Sequence, residues 1–146
     1  MIRVLFLCTG NSCRSQMAEG WTRHLKGDCL EPHSAGVAPK GVDSRAVRAM
    51  AEAKIDITAQ LSKSIESLGD IEFDYVITLC DNAREACPIH PARTRVLHVG
   101  FDDPPRIAAG ARSEEEALAP YRRVRDEIRH FVETLPEALE AICAPS

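Results

Sequence analysis

The stretch Val4-Leu5-Phe6-Leu7-Cys8-Thr9-Gly10-Asn11-Ser12-Cys13-Arg14-Ser15 decides the fold. Its first four residues are apolar without interruption, with β-branched and aromatic types among them, so it opens as a buried strand. It then turns into a short polar loop. Met17, Ala18, Trp21 and Leu25 follow at spacings that share one helical face. Strand, tight loop, helix is the geometry of an anion site. The loop's N–H groups can converge on one concavity, and the helix N-terminus adds positive potential.

Cys8 and Arg14 frame that loop as C-x5-R. The backbone from Thr9 through Gly10, Asn11, Ser12 and Cys13 to Arg14 is the candidate oxyanion cradle. Amides and a helix dipole that hold an oxyanion also favour a thiolate, so the Cys8 pKa is expected below the free-cysteine value of about 8.5. Arg14 supplies a planar fork of donors suited to tetrahedral oxyanions. Ser15 can donate its hydroxyl proton to the Cys8 sulfur. Gly10 is expected to relieve an unusual φ, and Asn11 to fix the loop through its amide. The nucleotide pattern G-x4-G-K-[ST] is absent.

Working outward, 146 residues suffice for a single domain with its own core, expected to span 1–146. The net charge of −4 gives no reason to expect nucleic acid or an anionic membrane as a partner. No apolar run approaches the roughly 20 residues of a membrane helix, and no export-signal pattern opens the chain, so a cytoplasmic location is expected. The chain carries 6 cysteines. In a reducing compartment these are catalytic, redox-active or buried, and a chain of this length needs no disulfide framework.

A first strand is expected over 3–7, a helix over 15–26 and a short strand over 30–34. A helix follows, capped by Asp43 or Ser44, with Val47, Met50 and Ala51 on its apolar face. Leu61, Ile65 and Leu68 fall at helix-like intervals. Strands are expected over 73–80 and, buried, over 96–99. Ser113 and Glu116 have capping-box spacing, and Pro120 suits the first turn of a helix or a kink. Tyr121, Val124, Ile128, Phe131 and Leu135 form a core stripe. Cys29 and Cys143 are expected to be bystanders. Strands alternating with helices imply an α/β fold with a mainly parallel central sheet flanked by helices. Sites in such sheets lie beyond the C-terminal strand ends. Cys8 and Cys80 each end a strand and Asp103 follows one closely, so the three can meet at one edge.

Cys80 and Cys87 stand seven positions apart in Cys80-Asp81-Asn82-Ala83-Arg84-Glu85-Ala86-Cys87-Pro88. Two helical turns span about 10 Å, too far for a disulfide unless the segment unwinds. The spacing is wrong for zinc, and no metal is expected. From spacing alone the pair is either redox-active or two buried structural thiols.

The loop resembles the phosphate-binding loop of the low-molecular-weight protein tyrosine phosphatase fold. The longer run from Cys8 to Trp21 resembles the arsenate reductases of that fold. Thr78-Leu79-Cys80 followed by Cys87-Pro88 is similar to the thioredoxin-coupled type. Asp103-Pro104-Pro105 matches the acid loop of the fold, without the aromatic residue that a tyrosine phosphatase usually places after Asp-Pro. This resemblance implies a monomeric arsenate reductase with no cofactor, taking its electrons from thioredoxin. Cys8 would be the nucleophile, Asp103 (with Asp102 as the neighbouring alternative) the general acid, and Cys80 and Cys87 the relay. Cys13 would be a packing residue or a protective partner of Cys8. The alternative is a protein tyrosine phosphatase using Cys8, Arg14 and Asp103, or an oxyanion-binding redox module without turnover. Some reductases of the family hold potassium behind the loop, at positions matching Asn11, Glu19, Ser34, Leu61 and Lys63. Leu61 and Lys63 cannot bind a cation, and the Lys63 ammonium is expected near Glu19 in its place.

Overall fold

The computed structural model describes residues 1–80 and 94–143, apart from the side chains of 141–143. β1 (Ile2–Cys8) lies in a four-stranded sheet with β2 (Leu30–Gly36), β3 (Tyr75–Thr78) and β4 (Arg95–His98). The order is β2-β1-β3-β4, and every pairing is parallel. The uninterrupted apolar run of β1 is explained by burial on both faces. Val4 and Phe6 enter the larger core, while Leu5 and Leu7 enter a smaller one with Cys8, Ala35, Val76 and Cys80. Side chains alternate across a strand, so the two cores occupy opposite faces.

The larger core is covered by α1 (Arg14–Lys26), α2 (Ser44–Glu52) and α4 (Glu114–Glu133). The short α3 (Pro104–Ala108) and α5 (Glu137–Cys143) complete the helices described. Met17, Ala18 and Trp21 of α1 are buried, and the Trp21 indole N–H donates to the Arg125 carbonyl of α4 at 3.1 Å. None of the described helices is long and apolar enough to cross a membrane.

Several expectations shift in detail. α2 is capped by Asp43, whose side chain accepts the Arg45 N–H at 2.8 Å, but its buried stripe is Ala46, Ala49 and Met50. Val47 is only partly buried and Ala51 is exposed. The segment from Leu61 to Leu68 forms only one 3-10 turn, Ile65–Leu68, and Leu61 is 71% exposed. Its backbone is committed to the loop next to it: the Lys63 N–H donates to Asn11 Oδ1, and the Leu61 carbonyl accepts Gln16 Nε2. β4 is an edge strand, so only Leu97 is buried and Val96 is 44% exposed. α4 begins earlier than Pro120 suggests. Ser113 caps it by accepting the Glu116 N–H, and the helix runs on through the buried proline. Along α4, Tyr121, Val124, Ile128 and Val132 are buried, with Phe131 only partly so.

Candidate active site

Strand register brings the site together. Leu7 pairs with Thr78, and the Leu79 N–H donates to the Leu7 carbonyl at 2.9 Å. Cys8 and Cys80 therefore leave the sheet side by side at its C-terminal edge, as the topology rule requires. The Phe101 N–H donates to the Leu79 carbonyl, which carries the segment before Asp103 to the same edge. A cavity of about 840 Å³ opens there, lined by Cys8, Cys80, Arg14, Asp103 and the loop between Thr9 and Cys13.

The loop's carbonyls are all spent outward. Those of Thr9, Gly10, Ser12 and Cys13 accept the N–H groups of Ala38, Lys40, Asp43 and Met17 at 2.8–2.9 Å. The Asn11 carbonyl accepts Gln16 Nε2. By contrast, none of the N–H groups of Gly10, Asn11, Ser12 and Cys13 donates a hydrogen bond among the described residues. Groups of this kind are rarely left unpaired, so four donors on one turn of chain describe an anion cradle. The unusual φ sits on Asn11, at +45°, rather than on Gly10. Asparagine tolerates that region, and here its side chain is anchored at both ends. Oδ1 accepts Lys63 N–H at 2.8 Å and Nδ2 donates to Ser15 at 2.9 Å. Gly10 is small for another reason: a Cβ there would lie 3.2 Å from the Lys40 side chain. Gly36, closing β2, admits the loop itself, since a Cβ there would lie 2.8 Å from Asn11 N and Thr9 O.

Arg14 reaches across the cavity. Nη1 donates to the Phe101 carbonyl at 2.9 Å, and Nη2 stands 3.8 Å from Asp103 Oδ1. Its Nε is buried with no partner among the described residues. A buried unpaired guanidinium nitrogen beside four inward amides fits a tetrahedral oxyanion. Asp103 faces this pair from the entry to α3, and its side chain is 40% exposed. Asp102 is turned away and held by Arg123 at 3.0 Å.

The Cys8 thiol differs from the expectation. Its pKa is raised, first by the hydrogen bond with Cys80 and then by burial, against opposing contributions from Arg14 and the Thr9 amide. Arg14 and the Thr9 amide favour a thiolate, but the neighbouring thiol, which lies seventy-two positions away in sequence, and burial outweigh them. Thr9 Oγ1 is 3.1 Å from Cys80 Sγ, so the loop hydroxyl faces the second thiol. Ser15 is fully buried and serves Asn11, and no hydrogen bond from it to Cys8 is formed among the described residues. Cys87, the other member of the expected relay, lies outside the described residues.

Behind the loop, Glu19 is 5% exposed and accepts from Ser34 and, at 2.7 Å, from Arg23. Lys63 Nζ lies 3.7 Å from Glu19 Oε1 and donates to the Leu61 carbonyl at 3.0 Å. An ammonium group in that place does not fit a potassium ion on the same carboxylate.

Sequence reading underrated two residues. Gln16 is fully buried in the first turn of α1, ties Asn11 to Leu61 through Nε2, and receives Gln60 Nε2 at 2.8 Å on its side-chain oxygen. Asp43 does more than cap α2: its N–H holds the Ser12 carbonyl and its carboxylate accepts the Tyr121 hydroxyl at 2.6 Å. Burial and that carboxylate raise the Tyr121 pKa. Cys13 is buried under the loop, and burial followed by the Asp43 charge pushes its thiol up, so it sits in the structure as a protonated packing group. Cys29 is partly buried, and its backbone bonds to Ile2 and Lys26.

Residues 3–144 match the family described as low molecular weight phosphotyrosine protein phosphatase. The chain is 48% identical over 135 residues to an arsenate reductase of Bacillus subtilis, covering 90% of this chain and 95% of that one. It is 46% identical over 134 residues to an arsenate reductase of Halalkalibacterium halodurans, covering 92% and 94%. Among solved structures, an arsenate reductase in its oxidized state superposes with a TM-score of 0.75 at 31% identity, over 92% of this chain and 96% of that one. A thioredoxin-dependent arsenate reductase of Corynebacterium glutamicum shares the fold with a TM-score of 0.70 at 22% identity, over 97% of this chain and 63% of that one. On the inward amides, the unpaired Arg14 nitrogen and these likenesses together, the chain belongs to the low molecular weight phosphotyrosine protein phosphatase family, among its arsenate reductases.

Proposed function

We propose that this protein reduces arsenate to arsenite through a relay of thiols, in a reducing compartment such as the cytoplasm, with thioredoxin as the reductant. The observation that carries the reading is the juxtaposition of Cys80 with Cys8 in the lining of one cavity, where Cys80 is the largest single influence on the Cys8 thiol. Phosphate ester hydrolysis needs one nucleophile there. A second thiol lining the same cavity supports chemistry that ends in a disulfide.

Arsenate takes the place to which the loop amides and Arg14 Nε point. The Cys8 thiolate attacks arsenic while Asp103 gives a proton to the leaving hydroxyl, so water departs and an S–As bond forms. Cys80, as thiolate, attacks the Cys8 sulfur. The S–As bond breaks with its electron pair going to arsenic, which leaves as arsenite, and a Cys8–Cys80 disulfide remains. Cys87 then attacks Cys80 and releases Cys8 as thiolate. The external dithiol reduces the resulting Cys80–Cys87 bond and carries away the two oxidising equivalents. Thr9 supports the second step, since its hydroxyl can donate to the attacking Cys80 sulfur.

The test is arsenate-dependent NADPH consumption in the presence of thioredoxin and thioredoxin reductase, for the wild type, Cys80→Ser and Cys87→Ser. Steady turnover is expected only in the wild type, with at most a single equivalent of arsenite from Cys87→Ser. Aryl phosphate hydrolysis that survives both substitutions, without arsenate-dependent oxidation, would make the protein a phosphatase instead.

A further inference from the structure

We propose that Lys40 and Arg106 form a cationic lip that selects a small, doubly charged, unsubstituted oxyanion; the inference rests on the arsenate reading of the same cavity. Among the described residues, three carboxylates and three cations line that cavity. Each carboxylate is already engaged. Asp43 accepts from Tyr121 and from the Arg45 N–H, Asp102 pairs with Arg123, and Asp103 faces Arg14. Arg14 is spent deep in the site. Lys40 and Arg106 are left as exposed cations, and neither makes an ion pair or a side-chain hydrogen bond among the described residues.

Both are placed rather than merely present. The Lys40 N–H donates to the Gly10 carbonyl at 2.9 Å, and its Cγ and Cδ lie across Gly10, 3.2–3.3 Å from where a Cβ would stand. Glycine at position 10 leaves room for that stem over the loop. Arg106 lines the same cavity from α3. It follows Asp103 by three residues in the first turn of α3, which puts it on the same side of the helix as that carboxyl. The only aromatic ring among the described lining residues is Phe101, which packs edge-on against Phe131 with 6.2 Å between centroids. Among the described residues, the mouth therefore offers charge and no free aromatic platform. Such charge favours a free dianion over an aryl ester, whose bulk must pass the two side chains and whose ring finds no free aromatic face among the described lining residues.

The experiment uses Lys40→Ala, Arg106→Ala, the double variant and the conservative Lys40→Arg and Arg106→Lys. Each is assayed for arsenate kinetics at low and high ionic strength, with phosphate as competitive inhibitor. At low salt each alanine is expected to raise the arsenate KM about two- to fivefold, the size of an exposed charge interaction. The phosphate inhibition constant should rise in parallel, kcat should hold within about twofold, and the conservative variants should restore KM. The gap should close at high salt, where charges beyond about 8–10 Å are screened. An unchanged KM in the double variant overturns the inference, as does a KM rise that salt does not reduce. A wild type with no arsenate turnover would instead overturn the functional reading. The lip would then be judged by calorimetric phosphate binding to Cys8→Ser with and without Lys40→Ala/Arg106→Ala, where equal affinities overturn it.

Discussion

Thr9 Oγ1 stands 3.1 Å from Cys80 Sγ, so the residue that opens the oxyanion loop also holds the second thiol of the site. Substrate cradle and relay thiol are thereby one mechanical unit. Thr9→Val keeps the side-chain volume but removes the donor. It should leave phosphate binding nearly intact and slow arsenite release about tenfold, the worth of one hydrogen bond to a charged sulfur. Single-turnover quench measurements of arsenite with excess enzyme check this. An unchanged release rate would show that Cys80 needs no help from Thr9.

Cys8 and Cys80 share a hydrogen bond that raises the Cys8 pKa more than any other cause does. Removing Cys80 removes that contribution, while Arg14 and the Thr9 amide still lower the value. In Cys80→Ala the Cys8 thiolate should therefore form at lower pH than in the wild type. The pH profile of Cys8 alkylation, followed by peptide mass spectrometry to separate it from the other thiols, should shift toward acid. A profile unmoved or shifted toward alkali would mean that burial dominates.

Much of this arrangement was legible in the sequence, and what was not has physical causes. The β1 run, the loop and α1 were readable because burial on both faces removes alternation and the helix stripe starts at once. The meeting of Cys8, Cys80 and Asp103 at one edge followed from parallel pairing alone. The Cys8 pKa was misjudged because its largest perturbant lies on another strand, beyond local reading. Asn11 rather than Gly10 takes the positive φ, where a bond from Gln16 holds its backbone and one from the distant Lys63 holds its side chain. The stretch 61–64 read as helical because its apolar spacing was real, yet its backbone groups are used to brace the loop.

Asp103 and Asp102 are adjacent but differently employed. Asp103 lies 3.8 Å from Arg14 at the cavity, whereas Asp102 is paired with Arg123 on the surface. Loss of a general acid costs about 10²–10⁴ in rate. Asp103→Asn should lower kcat in that range for the arsenate step, and Asp102→Asn should change it by less than about fivefold, as for a surface ion pair. Equal losses in both variants would remove Asp103 from the acid role.

Gly36 meets the loop backbone, with a Cβ placed 2.8 Å from both Asn11 N and Thr9 O. These are main-chain atoms, with Thr9 O held by the Ala38 N–H and Gly36 itself held by its N–H to the Lys63 carbonyl, so the contact cannot be relieved as a side-chain tip would relieve it. Gly36→Ala should cost about 1–3 kcal/mol in urea unfolding, the range for overpacking a close contact. It should also weaken phosphate binding, because the shift falls on an amide of the cradle. Wild-type stability together with wild-type phosphate affinity would contradict the close approach.

Lys63 links loop geometry to buried charge. Its N–H fixes Asn11, and its ammonium lies 3.7 Å from the Glu19 carboxylate, which Arg23 and Ser34 also engage. Glu19 is nearly buried, so its charge requires close partners, and a tethered cation supplies one that no salt in the buffer replaces. Turnover should therefore respond alike to potassium and sodium chloride at matched ionic strength. Lys63→Met should lower stability by about 1 kcal/mol in either salt, the scale of a partly exposed ion pair. A large rise in wild-type turnover specific to potassium would mean that an inorganic cation, and not Lys63, completes the support behind Asn11.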